Sequence, residues 1–376
     1  MNFSLTDEQG FLREAAVNAL SRIDTVAGAR AALDGEPLPE LWPTAREAGW
    51  TGLLVPESDG GAGLEAFDAM LVLEQCGRRL AGAGLIGHLA ATLVLSRTEA
   101  EELLPALAEG ARRAAIVLAR PPAADEGWTV EAIGGGRASA PTLSADGRLT
   151  GAAGFQLDLT GADVLLVAAV DADCEPCVAL VDPGVAEIEP ITRCDASRPL
   201  AHVRFYGVPA TRLGSGADAL TEAWYVAQAL LAADALGVVE AMLELSVSYA
   251  KDRHAFGRPI GSYQAIKQQI VEILRHAGTT RSLCFYAGYA AQARPQELAL
   301  AASAARFAAE EAADYATRTC IAVHGGIGAT WEHDGHLYWR RAQLSRLLLG
   351  GVGDAGDRVA EEIIERARVT AAAKAN

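Results

Sequence analysis

The chain has 376 residues, 51% of them apolar, and a formal net charge of −16. That length exceeds one small core and suits two or three domains. The acidic balance argues against nucleic acid or an anionic membrane as a partner, while leaving room for an anionic ligand at a local arginine cluster.

The opening residues, Met1 to Gln9, carry no basic stretch followed by an apolar one, so they do not read as a signal peptide, and a cytoplasmic protein is expected. Residues 1–115 read as an N-terminal helical domain. Thr6 is placed to cap the first helix, with Gln9 at the capping-box position. Apolar residues recur at helical spacing in Leu41, Trp42, Ala45 and Ala48, and again from Ala66 to Leu80. Between them, Val55 to Leu64 is a Gly-rich loop. It lacks the strand-turn-helix setting and the glycine spacing of a dinucleotide fingerprint.

Over residues 116–212 glycine, proline and β-branched residues rise and short alternating runs appear. Val164–Val170 and Cys177–Val181 read as strands. In the run from Ala201 to Val208, Ala201, Val203 and Phe205 face one way and His202, Arg204 and Tyr206 the other. Asp146-Gly147 and Asp182-Pro183-Gly184 are turns. A middle β-barrel or β-sandwich domain is expected. Among six cysteines, Cys174 and Cys177 form a C-x-x-C. It precedes a strand rather than opening a helix, and no second pair stands at metal-ligand spacing, so no metal site is expected.

Residues 213–376 are helical again, with long amphipathic segments over 219–251, 262–292, 296–324 and 336–369 that imply a C-terminal four-helix bundle. The apolar run from Trp224 to Leu245 is broken by Asp234, Glu240 and Glu244, which fits a buried core helix rather than a membrane span. Between the first two segments lies Arg253-x-x-Phe-Gly-x-Pro-Ile-Gly-x-x-Gln264. An Arg beside a turn and a fresh helix start suits a phosphate-bearing ligand, because guanidinium and free helix N–H groups both favour an anion. His324-Gly-Gly-Ile-Gly328 is a second such place, where Gly325 and Gly326 would let backbone approach a ligand.

This layout resembles the acyl-CoA dehydrogenase family over essentially the whole chain. Phe3-Ser-Leu-Thr-Asp-Glu-Gln, Glu47-Ala-Gly-Trp50, Val55-Pro-Glu57 with Gly60-Gly61-x-Gly63-Leu64, and Ser197-Arg-Pro-Leu-Ala-His-Val-Arg-Phe-x-Gly-Val208 are similar to its motifs in the same order. So are the Arg253 and His324 motifs, with Trp331-Glu-His-Asp334. The resemblance implies an α+β multi-domain fold, FAD as cofactor, an acyl-CoA substrate dehydrogenated between its α- and β-carbons, and an electron-transfer flavoprotein as acceptor. It also implies that Arg253, Phe256 and Gln264 hold the pyrophosphate end of a flavin bound mostly by a neighbouring subunit. His324, Gly325, Gly326 and Gly328 would line its adenosine end.

The chain departs from the family at the reacting end. The usual catalytic Glu position falls at Leu349 or Gly350, and the alternative position early in the first bundle helix falls at Ala227. Asp234, seven residues on from Ala227 in an apolar setting, is the candidate base, since desolvation would raise its pKa. Glu240 and Glu244 are weaker candidates. The Trp-Ile-Thr segment that packs on the flavin ring is matched by Gly154-Phe-Gln-Leu-Asp-Leu159, the Thr-Glu-Pro loop by Ala119-Arg-Pro-Pro, and the Gln before His-Gly-Gly by Ala322. Residues that hold the ring in one's own subunit are thus replaced, while those reaching a neighbour's flavin persist. Three readings follow: one subunit of a heterotetrameric acyl-CoA dehydrogenase, of a kind known to act on CoA thioesters of steroid side chains; a self-sufficient homotetramer with a relocated base; and a non-catalytic binding or scaffold protein on the same fold. A flavin monooxygenase or nitroalkane-oxidase relative is a further alternative.

Overall fold

The computed structural model describes residues 4–122 and 126–375. Phe3, first residue of the opening motif, lies outside them. Six helices come first: α1 (Asp7–Ser21), α2 (Thr25–Leu33), α3 (Trp42–Glu47), α4 (Ala66–Arg78), α5 (Leu85–Leu95) and α6 (Leu104–Ala108). Thr6 caps α1 as the sequence predicts. Its hydroxyl accepts from Gln9 N at 3.2 Å, and Gln9 Oε1 accepts from Thr6 N at 3.1 Å, a reciprocal box that satisfies two end groups at once. The apolar α5 is buried along its whole length.

The middle region carries β1 (Ala114–Val117), β2 (Thr129–Glu131), β3 (Arg137–Ser139), β4 (Thr142–Leu143), β5 (Arg148–Leu157), β6 (Val164–Val170), β7 (Pro176–Val181), β8 (Glu187–Ile191) and β9 (Leu200–Ser215). β6, β4, β5, β9 and β7 pair in sequence, and β7 pairs back onto β6, closing a small barrel. β1 and β8 add to its edges, and β2–β3 is a separate hairpin. Between Ala153 and Gln156 the β5–β9 register slips, which is a bulge. Along β9, Ala201, Val203 and Phe205 are buried, as their alternation predicts. On the opposite face Tyr206 is exposed, but His202 is buried too. The bulged Phe155 covers it edge-on at 4.9 Å.

The C-terminal region holds α7 (Ala217–Asp252), a two-residue-per-strand hairpin of β10 (His254–Ala255) and β11 (Arg258–Pro259), α8 (Gln264–Ala293), α9 (Leu298–His324), α10 (Gly335–Ser345) and α11 (Gly351–Ala375). The last segment, read from sequence as one helix over 336–369, is two. Leu349, Gly350 and Gly351 all have positive φ (47°, 81° and 71°), a conformation no right-handed helix contains. Each arm of that break is helical, and α7, α8 and α9 complete the bundle. α7 is the one helix among the described residues long and apolar enough to cross a membrane, and 89% of its apolar window is buried inside the protein. It meets α4 closely. A Cβ on Gly77 would lie 1.8 Å from Asp234 O, and one on Gly237 would lie 1.9 Å from Glu74 O, so only glycine permits the crossing.

Candidate functional site: an open half-site and a closed cleft

α7 ends at Asp252, where Arg253 leaves helical geometry at φ −77° and ψ 124°. The chain then reverses in β10–β11 through Phe256 and Gly257, both at positive φ (51° and 80°), the geometry a two-residue hairpin turn demands. Ile260 N donates to Arg253 O at 2.7 Å, and Tyr263 Oη donates to Ala255 O at 2.9 Å. The Arg258 guanidinium lies 4.1 Å above the Tyr263 ring. These contacts fix the hairpin, yet its presented groups are free. The side chains of Arg253 and Gln264 are exposed and make no hydrogen bond or ion pair among the described residues, and Phe256 is 97% exposed at the tip. No side chain caps the start of α8, which leaves its first N–H groups without a side-chain partner among the described residues.

The second motif lies at the same end of the bundle, because Tyr249, one turn before Arg253, stacks on His324 at 4.2 Å. His324 itself is 7% exposed. Its Nδ1 donates to Cys320 O at 2.7 Å, and its ring also lies 4.2 Å from His333. Gly325 closes α9 at φ 63°, ψ −137°, which a side chain would resist. A Cβ at Gly325 or Gly326 would meet nothing within 4 Å, whereas one at Gly328 would strike Ile321 O at 2.5 Å. His324 and Gly328 serve internal packing, and the open surface is the backbone of Gly325 and Gly326. A dinucleotide's phosphate and adenosine end fits these residues: free guanidinium, free amides and uncrowded glycine backbone.

Asp234 is not the desolvated base its neighbours suggest. It is 0% exposed, but Arg198 Nη2 donates to its Oδ2 at 3.0 Å, Arg341 Nε donates to Oδ2 at 3.2 Å, and Arg341 Nη2 donates to Oδ1. Burial alone would push the carboxyl pKa up; the two guanidiniums outweigh it and hold the value below the usual range. The site also ties the three regions together, since Arg198 follows β8, Asp234 is on α7, and Arg341 on α10 reaches Ala81 O at 3.1 Å. Arg198 Nη2 further donates to Ser345 Oγ at 2.7 Å. Glu240 and Glu244 are ion-paired as well, to Arg78 at 3.0 and 2.6 Å. They line a cavity of about 620 Å³ among α1, α4, α7, α8 and α10, which takes in Asp334 but neither Arg253–Gln264 nor His324–Gly328.

Four of the five places where the sequence departs from the family come together, Ala322 at the end of α9 standing apart, and among the described residues the four enclose little space. Gln228, next to Ala227, donates from Nε2 to Leu349 O at 2.6 Å, and Arg306 donates to Leu348 O at 3.2 Å. Glu131 of β2 accepts from Gly350 N at 2.7 Å. Arg120 Nε stands 3.0 Å from Asp354 Oδ2, and Arg137 Nη2 reaches the other oxygen of the same carboxylate. A Cβ on Gly154 would lie 2.8 Å from Ala132 O of the β2–β3 turn. The cavity left among Arg120, Trp224, Tyr225, Gln228 and Asp354 is about 10 Å³, room for about one water, where ligand pockets run to roughly 300–1,000 Å³. The space among these described residues is far smaller than a flavin ring. The sequence reading marked Arg120 only as a departure. Its partner Asp354 is 234 positions away, and no spacing rule links them.

A helical entry domain, a small barrel and a long-helix bundle define the acyl-CoA dehydrogenase class of flavoprotein folds. Residues 6–111 match the family described as "Acyl-CoA dehydrogenase, N-terminal domain", and residues 214–373 match "Acyl-CoA dehydrogenase, C-terminal domain". The chain belongs to the acyl-CoA dehydrogenase family. It is 31% identical to acyl-CoA dehydrogenase IpdE2 of Mycobacterium tuberculosis, over 96% of this chain and 98% of that one. With IpdE2 of Mycolicibacterium smegmatis it shares 30%, over 92% and 96%. Among solved structures, a single-substitution variant of the Tcur3481-Tcur3483 steroid ACAD superposes with a TM-score of 0.84 at 29% identity, covering 96% of this chain and 99% of that one. The ChsE4-ChsE5 complex from Mycobacterium tuberculosis gives 0.85 at 25% identity, covering 97% and 99%.

Proposed function

We propose that this chain is one subunit of a heteromeric, FAD-dependent acyl-CoA dehydrogenase, paired with a homologous subunit, cytoplasmic, and acting on a CoA thioester of a lipid or steroid side chain. The observation that carries the reading is the contrast at one surface: Arg253, Gln264, Gly325 and Gly326 stand exposed and unpartnered, while the chain's own ring-side positions pack against one another. When bound, FAD supplies hydride acceptance at its ring. This chain's part is at the other end. Arg253 neutralises pyrophosphate charge, the α8 N-terminus donates amide N–H groups to it, and Gly325–Gly326 let the adenosine lie against backbone. The partner supplies the ring pocket and the carboxylate that takes the α-proton. Two solved relatives named as pairs of proteins, the Tcur3481-Tcur3483 steroid ACAD and the ChsE4-ChsE5 complex, support a two-chain assembly. An electron-transfer flavoprotein would reoxidise the flavin.

The test is the visible spectrum near about 450 nm of the chain purified alone and of the chain co-expressed with a candidate homologous partner. Little flavin alone and retained flavin with one partner is the expected result. A yellow, active homotetramer of this chain alone would overturn the reading in favour of the self-sufficient enzyme. No flavin and no acyl-CoA binding in any combination would leave the scaffold reading.

A further inference from the structure

The cavity of about 620 Å³ among α1, α4, α7, α8 and α10 falls within the roughly 300–1,000 Å³ of ligand pockets. Most of the charged side chains on its wall are committed. Arg78 holds Glu240 and Glu244 at 3.0 and 2.6 Å, Arg281 pairs with Glu240, and Asp334 pairs with Arg30 at 2.6 Å. Glu74, Arg13 and Arg79 remain, and none of them makes an ion pair among the described residues. Glu74 is 7% exposed and sits where α4 crosses α7, its carbonyl pressed against Gly237. A carboxylate buried without a counter-charge is costly. Burial raises the Glu74 carboxyl pKa above the usual range, and Arg281, Arg13 and Arg78 offset only part of the rise. Gln75 beside it is 5% exposed and lines the same cavity. Its Nε2 donates to Glu74 Oε1 at 3.3 Å. Glu74 Oε2 and the Gln75 amide oxygen accept no hydrogen bond among the described residues, so the wall presents two acceptors without donors.

The occupant's chemistry follows from these groups. Two buried acceptors call for a pair of N–H donors. Three arginines already act on Glu74, so they would repel a full cation, and a neutral donor pair suits the place better. Arg13 and Arg79, both exposed on the same cavity, call for an anion. Val17, Val26, Ala241 and Leu245 give an apolar wall for a flat ring. A guanine nucleotide combines the three requirements: a ring, an N1–H and an exocyclic amino group side by side on one edge, and phosphate at the far end. Adenine offers one amino group there, beside an acceptor nitrogen. We propose that this cavity is a guanine-nucleotide site, with the base edge on Glu74 and Gln75 and the phosphates on Arg13 and Arg79. The cavity takes in neither Arg253–Gln264 nor His324–Gly328, so the inference stands apart from the flavin reading.

Isothermal titration calorimetry of the full-length chain with GDP, ADP and inorganic pyrophosphate tests it. GDP is expected to bind once per chain and about tenfold or more tighter than either ADP or pyrophosphate. Glu74→Gln keeps the side chain's shape but turns one acceptor into a donor, and should weaken GDP about tenfold or more. Arg13→Ala, on the exposed face of α1, should weaken GDP similarly and decides the matter if the buried variant does not fold. Arg253→Ala separates this site from the flavin half-site and should leave GDP affinity unchanged. Four results would each overturn the proposal. They are no saturable GDP binding, ADP or pyrophosphate binding as tightly as GDP, a GDP affinity unmoved by folded Glu74→Gln or by Arg13→Ala, and a GDP affinity lost in Arg253→Ala.

Discussion

The C-terminal end of the first bundle helix and its middle make opposite use of arginine. At the Arg253 end the guanidinium is exposed and unpartnered among the described residues; around Asp234 and Gln228, in the body of the helix, Arg198, Arg306, Arg341 and Arg120 are all buried and committed to the chain's own carboxylates, carbonyls and amides. The same side chain thus stands free at the helix end and closes the structure along its middle. What separates the cases is whether its donors are already taken.

Substitutions should divide along that line. The largest effect is expected at Asp234→Ala, which leaves Arg198 and Arg341 buried without their counter-charge and should cost about 3–5 kcal/mol in urea unfolding. Its pH dependence follows from the depressed folded pKa. The stabilisation is complete above the unfolded value of about 3.9 and is lost only as pH falls below that toward the folded pKa. Wild type and Asp234→Asn should therefore differ by a constant amount from pH 5 to 8. A difference that changes near neutrality would mean the carboxyl titrates there, as a base would.

Next is Arg253→Ala. Flavin affinity of the paired enzyme should fall about 10- to 100-fold, the range for a charge-assisted hydrogen bond, with unfolding free energy within about 0.5 kcal/mol of wild type. Loss of stability without loss of flavin would reverse the assignment of this end as the open one. Asp158→Ala comes third. The Asp158 carboxylate accepts from Gly87 N at 2.9 Å in the first turn of α5, a cap supplied from the barrel, and its removal should cost about 1 kcal/mol. Smallest is Gly326→Ala, which meets no neighbour in the protein. It should leave the melting temperature unchanged and weaken flavin retention alone.

Much of the fold was legible in the sequence because it depends on local pattern. Thr6 and Gln9 sit three apart, β6 is a single apolar run, and α7 is long and apolar enough to read as buried despite three carboxylates. The break at 346–350 was not legible, since Leu347-Leu-Leu looks like helix until Arg306, from another helix, takes the carbonyls of Ser345 and Leu348. The same holds for the site. Arg253 and Gly325 could be named because their chemistry is local and faces outward. Asp234 was misread because an apolar stretch of sequence says nothing of the two arginines that fold onto it. The Arg120–Asp354 pair depends on tertiary structure alone.

Phe256 has a consequence for the cell. A phenyl ring standing almost wholly in water forgoes roughly 1.5–3 kcal/mol that burial would return. Arg253 beside it holds a full charge with nothing to neutralise it. In the proposed heteromer, a chain made in excess of its partner would keep this surface uncovered, a feature quality-control systems act on. The supply of one chain would then set how much of the other persists, and making the two in equal amounts would matter as much as the chemistry they share.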